Sequence, residues 1–146
     1  MALDDLDELY RDSILEHNRS PRHRERIEDP DLTADGVNRF CGDEIHVQIS
    51  LDDEGRVAHV GLQSVGCAIT QASGSMLTDA VLGKTLDEAD TLSEAFQSMM
   101  QGRDETVESP LDTLAGVKQV PIRIKCALLA WSTLNDGIDE HRRSGR

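Results

Sequence analysis

Residues 44–62, EIHVQISLDDEGRVAHVGL, decide the fold. Ile45, Val47, Ile49 and Leu51 alternate with Glu44, His46, Gln48 and Ser50, the two-residue period of a strand with one buried face. Asp52-Asp53-Glu54-Gly55 supplies turn chemistry, and Ala58, Val60 and Leu62 resume the alternation. The pattern predicts an antiparallel hairpin.

Past Gly66-Cys67 the period lengthens. Ile69, Ala72, Met76 and Ala80, flanked by Leu77 and Val81, form a helical stripe that Gly83 ends at C′. Thr85-Leu86-Asp87-Glu88 is a capping box opening a second helix with Ala89, Leu92, Phe96 and Met99 inward. Pro121 suits a first helical turn, after which Ile124, Ala127, Leu128, Trp131, Leu134 and Ile138 make the last apolar stripe. Upstream, Leu6, Leu9, Tyr10 and Ile14 predict an amphipathic helix over residues 3–17, ended by Asn18, Ser20 and Pro21. Residues 18–40 read as a long loop with one short strand near Thr33–Val37. Gly102–Ser109 reads as a mobile acidic stretch. Strands then helices predict an α+β class, a small antiparallel sheet with helices packed on one face. The whole of 1–146 is expected to be one domain, frayed at 1–2 and 141–146.

Composition narrows the function. Net charge is −13, leaving no basic stripe for nucleic acid and disfavouring anionic membranes. The acidic start MALDDLDELY lacks the marks of a signal peptide, and no apolar run approaches a membrane span, so a cytoplasmic location is expected. There thiols stay reduced, and 3 cysteines is an odd number for a disulfide framework.

Those cysteines are either small buried hydrophobes or ligands. Their positions favour ligands. Cys41 and Asp43 share strand parity, and Asp43 also shares it with Ile45 and Val47, which aims a carboxylate at the apolar side. Gly42 between them allows the backbone pucker that would bring Cys41 and Asp43 together. Cys67 falls where a strand ends and a helix begins, a place that favours thiolate. Cys126 follows Lys125 and Arg123, cations with the same effect. Three thiolates and one carboxylate are four ligands, the number tetrahedral zinc takes; iron or a [2Fe–2S] cluster could use the same set. A cysteine hydrolase would need one of His17, His23, His46, His59 or His141 beside a thiol. His46 and His59 fall on solvent-facing strand positions, and no nucleophile elbow is present.

The stretches LYRDSILEHNRSPRHRERI (9–27), CGDEIHVQI (41–49), GCAITQASGSMLTDAVLGKTLDEA (66–89) and GVKQVPIRIKCALLAW (116–131) closely resemble the SufU-type branch of the IscU/NifU iron–sulfur cluster assembly family. The resemblance implies that family's α+β fold and the metal ligands Cys41, Asp43, Cys67 and Cys126. Lys125 in place of a histidine, and the long acidic stretch between Cys67 and Cys126, favour the SufU branch. It further implies a zinc-dependent accessory sulfurtransferase, rather than a stand-alone hydrolase. Cys41 would be the acceptor of persulfide sulfur from a SufS-type cysteine desulfurase, Arg123 a partner contact, and apo iron–sulfur proteins the clients. The alternative is a scaffold building a [2Fe–2S] cluster on the same ligands. Asn38-Arg39-Phe40 departs from the family pattern, which carries proline after the asparagine.

Overall fold

The alternation at 44–62 becomes the centre of an antiparallel sheet ordered β1-β2-β3, with β1 Leu32–Asn38, β2 Asp43–Leu51 and β3 Val57–Val65. The computed structural model describes residues 12, 14–39, 42–102, 107, 111–119 and 121–144. Across the inner face, Leu32 faces Ile49, Ala34 faces Val47 and Gly36 faces Ile45. Val60 and Leu62 continue these rows on β3. Ile45, Val47 and Ile49 are buried, each contributing about 1.5–3 kcal/mol. A register shift at Ser50/Leu51 precedes the turn, where Gly55 takes φ +79°.

Helices cover that inner face. Helix α1 (Ala68–Val81) packs on β3, and helix α3 (Pro121–Arg143) packs on β1 and along α1. Helix α2 (Leu86–Met100) lies against α3, where Phe96 and Trp131 stack with centroids 4.8 Å apart. The capping box forms as read: Glu88 N–H donates to Thr85 Oγ1 at 3.1 Å and Thr85 N–H to Glu88 Oε1 at 3.0 Å.

The structure departs from the sequence reading at three places. Helix α1 is not a simple stripe: Thr70, Ser73, Ser75 and Thr78 are buried with the apolar residues, while Ile69 and Ala80 are only partly covered. The cause is encirclement by β3, α3 and the N-terminal segment, where His17 Nδ1 lies 2.7 Å from Ser75 Oγ. A 3₁₀ helix, Leu111–Gln119, was not expected; it buries Leu111, Leu114 and Val117. Residues from His141 do not fray at once. Helix α3 runs through Arg143, held where Arg142 pairs with Asp87 and Asp90 and His141 lies 3.2 Å from the Asp31 carbonyl.

The predicted start of the N-terminal helix and most of the acidic stretch at 102–109 lie outside the described residues; helix is present at 14–19, two residues past the expected end at His17. The segment that follows shields the edge of β3, with Leu62 N–H donating to the His23 carbonyl at 2.9 Å. Among the described residues no helix is long and apolar enough to cross a membrane.

Candidate metal centre

Three elements end at one place. Asp43 opens β2, Cys67 stands directly before α1, and Cys126 lies in the second turn of α3. One ligand atom from each falls within 4.8 Å of the others. Asp43 and Cys126 are fully buried and Cys67 is half-buried. Strand parity accounts for Asp43: it points inward like Ile45 and Val47, as the alternation predicts. Gly42 beside it has φ +72°, a left-handed conformation suited to glycine. Cys41, the fourth predicted ligand, lies outside the described residues.

The carboxylate is pinned from several sides. Thr70 Oγ1 donates to Asp43 Oδ2 at 2.7 Å, and Cys67 N–H donates to Oδ1 at 3.3 Å. Gly66 leaves the space: a Cβ there would sit 2.7 Å from Asp43 Cγ, a collision. So Gly66, Cys67 and Thr70, within five residues at the strand-to-helix joint, form a cradle for one buried charge. Sequence reasoning passed over Gly66 and Thr70 as site residues. Their signal was the joint itself, where a glycine admits a close approach and the third helical position carries a short hydroxyl.

The Cys67 sulfur is biased toward negative charge. Burial pushes the Cys67 thiol up, but hydrogen bonding from the Thr70 side chain and backbone, from Cys126 and from the Ile69 backbone outweighs it and leaves the thiol below its ordinary range. Arg123, partly exposed, hydrogen-bonds Cys126 and faces the charges of Cys67 and Cys126, which raises its guanidinium above the ordinary value. The structure thus brings Asp43, Cys67, Cys126 and Arg123 together. Among the described residues the ligand group contains no histidine. His17 instead meets Ser75, and His46 pairs with Asp35 on the sheet.

The donor chemistry fits a borderline-soft divalent ion. Ligand atoms around tetrahedral zinc lie roughly 3.3–3.8 Å apart given its bond lengths. The 4.8 Å spread seen here therefore needs only small side-chain rotations to close.

The protein is thus a small α+β domain in which one carboxylate and two thiols converge at the sheet end, a group that could hold a metal ion. The sequence matches the NifU-like N terminal domain over residues 9–145, and the chain belongs to that family. It is 38% identical over 136 residues to the zinc-dependent sulfurtransferase SufU of Bacillus subtilis (strain 168), covering 91% of each chain. It is 36% identical over 141 residues to the iron–sulfur cluster assembly scaffold protein IscU of Streptococcus pyogenes serotype M1, covering 94% of this chain and 87% of that one. The crystal structure of FiSufU from Fervidobacterium islandicum AW-1 superposes with a TM-score of 0.83 at 30% identity, over 90% of this chain and 97% of that one.

Proposed function

We propose that this chain serves iron–sulfur cluster assembly in the cytoplasm as a zinc-dependent sulfur acceptor for a SufS-type cysteine desulfurase. The observation that carries the reading is the meeting of Asp43, Cys67 and Cys126 within 4.8 Å, from three separate elements, in a member of the NifU-like N-terminal family. Cys41, two residues before Asp43, completes the ligand set. Bound zinc would supply charge that keeps the thiols deprotonated and ties distant segments together.

The chain's own residues do the rest. Cys41, released as a thiolate, attacks the terminal sulfur of the desulfurase persulfide. A Cys41 S–S bond forms, the donor's S–S bond breaks, and the donor cysteine leaves as thiolate. Sulfur is only relayed, so no external oxidant or reductant is consumed. Asp43, a harder ligand than sulfur, is the member best suited to exchange. Arg123, beside Cys126 and turned partly to solvent, fits the proposed desulfurase contact.

The likeness to the Streptococcus scaffold protein supports a second reading, assembly of a [2Fe–2S] cluster on the same ligands for apo client proteins. One experiment separates them. Chain purified without added metal is analysed for metal, then titrated into a cysteine desulfurase assay. About one zinc per chain, and desulfurase stimulation abolished by Cys41→Ser, is the expected result. A visible cluster chromophore that passes to an apo client, without stimulation, would establish the scaffold instead.

A further inference from the structure

Asp43 is a carboxylate only 1% exposed, and the helix behind it offers it one short, strong donor, the hydroxyl of Thr70, itself 0% exposed. That hydroxyl has one proton and two neighbours within reach: Asp43 Oδ2 at 2.7 Å and Cys67 Sγ at 3.5 Å. It stands between Asp43 on the strand and Cys67 at the helix start, and its single proton goes to the nearer, the carboxylate. The Cys67 N–H bond to Asp43 is longer, at 3.3 Å, and Gly66 limits the carboxylate on its remaining side. Without the hydroxyl, the carboxylate keeps its burial but loses its best directional restraint, and its oxygens no longer have to face the two sulfurs.

We propose that Thr70 is a positioning residue of the metal centre, whose hydroxyl, donating to Asp43, holds that carboxylate in the arrangement that converges with Cys67 and Cys126 to bind a divalent ion. This rests on the metal reading above. Groups that orient a ligating carboxylate typically change metal affinity by about 10–100-fold when removed. Thr70 never touches the ion; it acts through Asp43.

The test uses zinc and cobalt(II) on the full chain. Zinc affinity is measured by competition with a chromophoric chelator, and ligand geometry by the visible spectrum of the cobalt-loaded protein. Thr70→Val keeps the shape and removes the hydroxyl. It is expected to weaken zinc binding about 10–100-fold and to move the cobalt spectrum toward that of Asp43→Ala. Thr70→Ser is expected to restore both. In an Asp43→Ala background, Thr70→Val is expected to have no further effect on zinc affinity, because the group it acts through is gone. Equal zinc affinity and an unchanged cobalt spectrum in Thr70→Val would overturn the proposal. So would the same loss with and without Asp43, which would mark Thr70 as packing alone. If Thr70→Val does not fold, Thr70→Ala carries the same expectations. Failure of the parent chain itself to bind zinc or cobalt would overturn the metal reading and this inference together, whereas parent binding with an indifferent Thr70→Val overturns only the inference.

Discussion

Thr70 and Ser73 sit one helical turn apart on α1, both wholly buried, and the polar groups around them are organised in opposite ways. Around Ser73 the ledger closes. Ser73 Oγ donates to the Ala127 carbonyl at 2.6 Å and accepts from Trp131 Nε1 at 3.1 Å. Ser93 Oγ donates to the Trp131 carbonyl at 3.3 Å and accepts from Gln97 at 3.0 Å. All these groups are neutral, and the network ties α1, α2 and α3 at their crossing. Around Thr70 the acceptors carry charge: the Asp43 carboxylate takes the Thr70 hydroxyl and the Cys67 amide, the Cys67 thiol is held below its ordinary range, and Arg123 faces the charges of Cys67 and Cys126. A balanced buried network fastens helices. A network with surplus negative charge needs a cation. The two turns separate what holds the fold from what gives it work.

The largest test of that separation is Trp131→Ala. Removing the fully buried indole and its bond to Ser73 should cost about 3–5 kcal/mol, read from urea unfolding. The chain that remains folded should still bind one metal per molecule; loss of metal binding in the folded fraction would break the distinction. Next is metal removal. At metal concentrations of about 100–1,000 times Kd, binding adds about 2.7–4.1 kcal/mol, which for a chain of this size is roughly 5–16 °C in Tm. Thermal melts with and without a strong chelator measure it, and a metal-free protein as stable as the loaded one would remove the metal from the account of the fold.

The smallest effect lies at the next hydroxyl along α1. His17, against Ser75, is held below its ordinary value of 6.5, first by burial and then by Arg22, with Asp79 and Glu16 opposing. The folded state therefore binds fewer protons here than the unfolded chain. Its contribution is complete above pH 6.5 and declines as pH falls from there toward the folded value. Glu16 and Glu88, both lowered from 4.5, add their own losses only at more acidic pH. Between pH 7 and 5.5 the parent Tm should fall, and His17→Gln should flatten that slope. An identical slope in the variant would assign the pH response elsewhere.

Much of this was legible in the sequence because local chemistry agreed with the final packing. The alternation at Ile45, Val47 and Ile49 gave both the hairpin and the inward aim of Asp43, and the turn of period at Gly66-Cys67 placed a thiol at a helix start. The buried hydroxyls of α1 were not legible, since their partners are remote: Ala127 for Ser73, Asp43 for Thr70, His17 for Ser75. A stripe count treats such residues as solvent-facing until another element covers them. The 3₁₀ helix did leave a signal. Leu111, Leu114 and Val117 recur every three residues, the period of that tighter helix, too short a run to stand out beside the longer helical stripes.

One further contact governs how the centre can open. Where α3 crosses β1, Gly36 and Gly137 let side chains of the opposite element press on the backbone: a Cβ on Gly36 would lie 3.1 Å from Thr133 Cβ and collide with its hydroxyl, and one on Gly137 would lie 2.8 Å from Ala34 Cβ. At that clearance the helix bearing Cys126 cannot roll about its axis without driving Thr133 into the strand, nor slide without wedging Leu32 against the turn at Gly137. Cys126 is thereby carried on a helix seated against the sheet, a fixed anvil on which its side chain, rather than its backbone, would turn.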